Sequence, residues 1–349
     1  MSRVPLLPVL AFLTLACGPD TPGQAGSAPE APPPPPPGWS AAIGEYAQGP
    51  DTVSLLEDAG EPYLFFWAPG EREGGAWAGE KRHLTPVTDS SFSIAGSNES
   101  ALLRRVDGGR VRALALGERD LPRIFLGGEE GGTFQITPVR DPDELRAEAL
   151  AATPPEEEGD FLPSDLVELT TLDPALALDI RYASTNNFMG EVFYSSPRAF
   201  LQRPAAEVLV RAHAWLRERG YGLLIHDGYR PWYVTKMFWD ATPEALKIFV
   251  ADPASGSRHN RGCAIDLTLV DLATGEAVTM PGGYDEMSPR SFGTYPGGTA
   301  RQRWLRALLK EAMEAQGFTV YPAEWWHFDY QDWRRYRIGN QTFEEIGER

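Results

Sequence analysis

At 349 residues the chain has room for two domains plus appendages, and a 42% hydrophobic content with 10 Trp is enough for real cores. Lys and Arg number 32 against 49 Asp and Glu, a net charge of −17. That balance argues against a nucleic-acid partner and leaves an anionic membrane reachable only through a tail. The two cysteines, Cys17 and Cys263, lie in unlike contexts, so neither an intramolecular disulfide nor a cysteine-rich metal site is expected.

Residues 1–17 read as a lipoprotein-type signal: Arg3, an apolar run too short to span a membrane, then Leu13-Thr14-Leu15-Ala16-Cys17. Cys17 is the expected lipid anchor, which implies an exported protein of the periplasm or cell envelope. Residues 18–40 are rich in Pro, Gly and Ala, with prolines throughout Pro32–Pro37, and read as a stiff tether.

Residues 41–140 carry short apolar stretches, such as Tyr63 to Trp67 and Val111 to Leu116, punctuated by Gly, Pro and Asp. Asp107-Gly108-Gly109 is a hairpin turn signal. A small all-β domain is expected, as an antiparallel sheet or barrel. Its single histidine, His83, reads as a loop residue without chemistry. Residues 141–160 are acidic and Ala-rich and read as a short helix followed by a linker.

The remainder, 161–349, mixes strands and helices and is expected to be α+β. Leu166 to Leu169 and Leu178 to Tyr182 read as strands. Ala205 to Arg219 has helical spacing, with Gly220 as the stop and His213 off the apolar stripe, facing solvent. Gly222 to Asp227 reads as a buried strand, with His226 a strand or edge residue. It ends in Gly228-Tyr229-Arg230-Pro231, where a proline holds an arginine at the mouth of a cleft. Ala300 to Gln316 is an amphipathic helix, followed by a strand at Phe318 to Tyr321. Cys263, among small residues, is expected to be a buried thiol.

The chemistry concentrates in Ser257-Arg258-His259-Asn260-Arg261-Gly262-Cys263-Ala264-Ile265-Asp266 and in Glu324-Trp325-Trp326-His327. His259, Asp266 and His327 form a two-imidazole, one-carboxylate set of the kind that holds zinc with an open position. Glu324, three residues before His327, is placed to act on a water there as a base.

Five separated motifs, in order, resemble the zinc D-alanyl-D-alanine dipeptidases, relatives of the zinc D-Ala-D-Ala carboxypeptidases and of the hedgehog signalling domain. They are Asp179-Ile180-Arg181-Tyr182 with Asn187-Phe188, Asp227 to Pro231, the Ser257 to Asp266 loop, Gly283-Tyr284-Asp285, and Glu324 to His327. The resemblance spans roughly 165–337. It departs at Met280-Pro281-Gly282-Gly283, where the family usually has Met-Gly-Thr before its aromatic–Asp pair.

This resemblance implies a C-terminal dipeptidase domain with one Zn2+ per chain on His259, Asp266 and His327, and Glu324 as the proton carrier. It further implies that Arg230 stabilises the oxyanion, Asp285 pairs with the ammonium of a small dipeptide, and Ser257 contacts substrate. The expected reaction is hydrolysis of D-Ala-D-Ala. A carboxypeptidase acting on peptidoglycan stem peptides and a non-catalytic wall-binding lipoprotein are the alternatives.

Overall fold

A computed structural model describes residues 30–49, 51–68, 77–106, 109–126 and 132–347. The signal, the Cys17 anchor, most of the tether and the Asp107-Gly108 part of the hairpin turn lie outside the described residues.

Eight antiparallel strands close a small barrel: Gly44–Gln48 (β1), Asp51–Asp58 (β2), Glu61–Trp67 (β3), Gly79–Pro86 (β4), Ser91–Ile94 (β5), Ser100–Arg105 (β6), Val111–Leu116 (β7) and Arg119–Ile124 (β8). Closure comes from β1 pairing β8 through Glu45↔Ile124 and Tyr46↔Arg123. Alternate residues point inward, so Tyr46, Leu55, Leu64, Leu84, Phe92, Leu103, Leu114 and Leu121 fill the barrel as one buried cluster. His83 sits on β4 rather than in a loop, 3.4 Å from the Glu61 carboxylate. The end of the tether is docked, with Trp39 5.1 Å from Phe92.

Beyond the barrel, Leu166–Glu168 (β9) and Phe200–Gln202 (β11) form a separate two-stranded pair, and Ala177–Leu178 (β10), Tyr221–Asp227 (β12), Ala264–Asp271 (β13), Phe318–Tyr321 (β14) and Glu324–Tyr330 (β15) form a five-stranded sheet of order β10-β12-β13-β15-β14. Only the β10–β12 pairing is parallel. The expected strand at 178–182 is cut short, because Arg181–Ala183 turns into a 3₁₀ helix. On β13 the alternation divides the labour. Ile265, Leu267 and Leu269 enter the core, which also holds Leu209, Leu216, Leu308 and Leu309 of the two long helices. Asp266 and Thr268 take the opposite face.

The helix Arg203–Arg217 opens with Pro204 in its first turn, and Ala300–Glu314 opens with a Thr299–Gln302 capping box. His213 is buried at 1% exposure, not facing solvent. Its spacing from Leu209 and Leu216 places it on their face, and Asp173 satisfies Nδ1 at 2.8 Å. The helix Trp232–Ala241, not expected from the sequence, buries Val234, Met237, Phe238 and Ala241 on one face and pairs Lys236 with Asp240 on the other.

The acidic stretch 141–160 is not a free linker. Asp141 caps the helix Pro142–Ala151 by accepting from Asp143 N and Glu144 N at 3.0 and 3.2 Å. Leu145 and Ala149, one turn apart, are buried in the same core as Phe238. Glu157 then accepts from Arg261 at 2.6 Å and from Ile338 N at 2.7 Å. The segment 132–140 joins this body as well, through Ile136 N to Phe188 O and Val139 N to Ala241 O, both 2.9 Å. The barrel strands therefore end at Ile124, and the chain from residue 132 onward belongs to the second body.

The barrel also grips the loop before the last long helix. Glu57, 2% exposed, accepts from Ala300 N at 2.9 Å, and its carbonyl accepts from Arg303 at 2.9 Å. A carboxylate at a helix N-terminus meets orphan N–H groups and the positive end of the dipole. Trp67 stacks on Tyr295 at 6.0 Å, and Trp77 meets Phe292 edge-on at 5.3 Å. Among the described residues, no helix is long and apolar enough to cross a membrane.

Candidate metal centre and active site

Three elements deliver the cluster. His259 opens the 3₁₀ turn His259–Arg261, which Gly262 redirects into β13 at φ 65°. A Cβ at Gly262 would lie 2.5 Å from Leu166 Cδ2, so position 262 admits glycine on both conformational and steric grounds. Asp266 on β13 pairs directly with His327 on β15. Across β12, a register shift between Ile225 and Asp227 sets Asp227 beside Asp266. Such bulges re-aim side chains near active sites.

His259 Nε2 and His327 Nδ1 are 3.0 Å apart, and they stand 3.3 and 3.1 Å from Asp266 Oδ1. His259 Nδ1 lies 2.7 Å from Gly228 O, and His327 Nε2 lies 2.9 Å from Asp329 Oδ1. A carbonyl and a carboxylate only accept, so both of those outer nitrogens carry the proton. The inner nitrogens then present lone pairs to each other and to Asp266 Oδ1, a buried atom with no hydrogen-bond partner. Three lone pairs facing one point repel unless a cation stands between them. At zinc bond lengths of about 2.0–2.1 Å, tetrahedral ligand atoms are ~3.3 Å apart. The donor set and its spacing fit a zinc-like ion, with Gly228 O and Asp329 as the outer partners that fix each ring.

Without an ion, the same point draws a proton instead. Burial alone would raise the Asp266 carboxyl, but the two imidazoles outweigh it and hold it far below the usual range. Burial alone would lower His327, but the Asp329 and Asp266 carboxylates hold it well above the ordinary imidazole value. Among the described residues, His259, Asp266 and His327 are the one group of metal-ligating side chains that converges. His226 stays outside it. Burial and then Arg181 push its pKa down to about 4, and Nδ1 lies 3.3 Å from Asp179 O.

Glu324 stands beside the triangle, Oε2 3.6 Å from His327 Nδ1. Burial first, then the Asp266 charge, push its carboxyl up to about 7 against the opposing His327 and Arg230. Arg230 is pinned by Asp227 Oδ2, which accepts Nε at 2.9 Å and lies 2.8 Å from Nη2; Nη2 is 3.7 Å from Asp266 Oδ2. Tyr182 and Phe238 flank its guanidinium at 5.1 and 4.9 Å. Asp285 takes a left-handed backbone, φ 56°, and accepts from the Tyr182 hydroxyl at 2.8 Å. Its loop is tied by the buried Glu286–Arg290 pair, at 2.7 and 2.9 Å. Ser257 accepts from His259 N at 3.2 Å, so it shapes the metal loop as well as lining the cavity.

All seven side chains named from the sequence line one cavity of about 100 Å³. Four supporting groups had no role assigned from the sequence: Asp227, Asp329, Tyr182, and Tyr284, whose hydroxyl donates to Asp266 Oδ2 at 3.1 Å. Each lies inside or next to a motif, and that proximity was the available signal. A larger cavity of about 1030 Å³ lies between the barrel and the sheet, away from the triangle.

With this geometry in hand, sequence comparison is decisive. A family profile described as D-ala-D-ala dipeptidase, of the peptidase M15 group, matches residues 163–346. The chain belongs to this family. A D-alanyl-D-alanine dipeptidase of Escherichia coli is 36% identical over 166 residues, 48% of this chain and 84% of that protein. One from Enterococcus faecium is 37% identical over 172 residues, 44% of this chain and 85% of the relative. One from Streptomyces coelicolor is 31% identical over 186 residues, 48% and 92% respectively. The dipeptidase-family chain is thus an enzyme by kinship, and its barrel lies outside the family match.

Proposed function

We propose that the protein is a zinc metallopeptidase that hydrolyses D-Ala-D-Ala to two molecules of D-alanine, with one ion on His259 Nε2, Asp266 Oδ1 and His327 Nδ1. The observation that carries the reading is the juxtaposition of that lone-pair triangle with Glu324 and Asp285 in one small cavity. When bound, such an ion lowers the pKa of a water and polarises the peptide carbonyl.

The side chains do the rest. Glu324 takes a proton from the attacking water and delivers it to the nitrogen of the breaking C–N bond, so one water is consumed and a carboxylate and an amine are released. Arg230, held rigid by Asp227, directs its guanidinium at the oxygen on which charge develops, a contact worth roughly 3–4 kcal/mol in comparable sites. Asp285 receives the substrate ammonium, and Tyr182 fixes the carboxylate that receives it. Burial and the Asp266 charge push Asp285 well above the usual carboxylate range, and an incoming ammonium relieves both. A cavity of about 100 Å³ is below the ~300–1,000 Å³ of drug-sized sites, which favours a dipeptide over a longer stem.

D-Alanine release from D-Ala-D-Ala and from its N-acetyl derivative tests this. The free dipeptide should turn over, and acetylation or Asp285→Asn should each lower kcat/KM by about 100-fold, the scale of an unpaired buried charge. Equal turnover of both substrates would move the protein to the carboxypeptidases. Zinc binding with no turnover of either would leave a non-catalytic binding protein.

Export with a lipid anchor at Cys17 is proposed on the leader sequence alone; outside the cytoplasm such an enzyme would scavenge wall-derived dipeptide. Recovery of the chain cleaved at Cys17 in the envelope fraction supports it, and an intact cytoplasmic chain defeats it.

A further inference from the structure

A free dipeptide is a zwitterion, so a site that recognises it needs an acid for the ammonium and a cation for the carboxylate. Resting on the dipeptidase reading above, Asp285 supplies the acid. Two guanidinium groups line the same cavity, Arg230 and Arg258. Arg230 is committed: Asp227 holds it, two aromatic rings enclose it, and it faces Asp266.

Arg258 is held differently. It precedes the ligand His259, and its side chain is 39% exposed. Its guanidinium lies over the Trp333 ring at 4.9 Å, which fixes the plane of the fork. Its Nε is buried, has no hydrogen-bond partner, and approaches Asp329 Oδ2 only to 3.6 Å. Among the described residues the guanidinium donates no hydrogen bond, while the cavity opens beside it. A planar, pre-oriented fork with free donors matches a carboxylate in two-point contact.

Position agrees with charge. Asp285 adjoins Tyr182, and its charged neighbours are Asp266, Arg230 and Glu324. Arg258 acts instead on Tyr321 and Asp329. His327 stands between the two sectors, touching Asp266 and Glu324 through Nδ1 and Asp329 through Nε2. A peptide bond over the triangle therefore has the acid on one side and the Arg258 guanidinium, ion-paired to Asp329 but donating no hydrogen bond among the described residues, on the other.

We propose that Arg258 binds the C-terminal carboxylate of the substrate and makes the enzyme selective for peptides with a free C-terminus. The competing role is structural: Arg258 steadies Asp329, which steadies His327.

The deciding experiment compares D-Ala-D-Ala with its C-terminal amide, in the zinc-loaded wild type, Arg258→Gln and Arg258→Lys, with zinc content measured in each. The wild type should prefer the acid by about 10- to 100-fold in kcat/KM, mainly through KM, the range of hydrogen bonds to a charged group. Arg258→Gln should lose that preference by weakening the acid alone, and Arg258→Lys should keep part of it. Equal losses on acid and amide, or a wild type indifferent to amidation, would overturn the proposal. The N-acetyl test can move the protein to the carboxypeptidases without touching this one, since both classes take a free C-terminus. Absence of wild-type turnover on acid and amide alike removes the dipeptidase reading, and this inference with it.

Discussion

Glu324→Gln is expected to lower kcat for D-Ala-D-Ala by about 10²–10⁴-fold while zinc content stays at one per chain. The substitution keeps the shape of the side chain and removes its ability to carry a proton. Glu324 is not one of the three converging ligands, and its Oε2 sits 3.6 Å from the nearest ligand nitrogen, so zinc affinity should survive. No other acid in the cavity is free for the task. Asp266 belongs to the triangle, Asp285 lies against Tyr182, and Glu286 is paired with Arg290. Asp329, just outside the cavity lining, holds His327 at 2.9 Å. A carboxyl pushed up to about 7 is also matched to neutral-pH proton transfer, because it accepts and returns the proton at similar cost. Steady-state kinetics with metal analysis on the same sample is the check. Turnover within tenfold of wild type, with zinc in place, would show that Glu324 is not the proton carrier.

What was legible in the sequence was local. His259 and Asp266 share one loop and the strand it enters, and Gly262 between them is a turn signal that needs no tertiary knowledge. Arg230 announced itself by the proline behind it. The pairing of Asp266 with His327 is a matter of register between strands 61 residues apart, which spacing does not encode. The Asp227 role needed a bulge in β12, and the Asp329 role needed the alternation of β15 to be known. The helix Trp232–Ala241 went unread because its aromatic and β-branched residues favour a strand as readily as a helix, whereas the short helix expected at the start of 141–160 is present as Pro142–Ala151, although it buries only Leu145 and Ala149. The acidic stretch read as a linker because composition reports solvent preference, whereas Glu157 is held by Arg261 across the fold.

The barrel was legible as a β unit but not as a neighbour of the site. It holds the segment 292–300 through Trp77, Trp67 and Glu57, and the same loop reaches the cavity at Asp285 to Met287. Between these contacts the Glu286–Arg290 pair, with Ser288 and Gly283 N on the same carboxylate, closes the loop into a rigid turn. Barrel, loop and Asp285 thus form one mechanical chain. That gives a physical reason for the loop to keep its shape despite its unusual Pro281-Gly282-Gly283 sequence.

Removal of the metal with a chelator is expected to abolish turnover and to lower the melting temperature by roughly 10 °C, both recovered on adding zinc. A ligand at a thousand times its Kd stabilises by about 4 kcal/mol, and for a body of some 200 residues each kcal/mol moves Tm by about 2–4 °C. The triangle explains why folding should depend on the ion. His259, Asp266 and His327 are 2%, 2% and 7% exposed, and Asp266 Oδ1 has no other partner. Protons compete for the same lone pairs. Because the Asp329 and Asp266 carboxylates outweigh burial and raise the pKa of His327, zinc uptake at neutral pH displaces a proton. Affinity should accordingly fall as pH drops, and calorimetry in buffers of different ionisation enthalpy should record the released proton. Asp329→Asn should weaken zinc binding by about 10–100-fold, the usual effect of losing an outer partner, and Asp266→Ala by more. A chelated protein that keeps both its Tm and its activity would refute the metal centre outright.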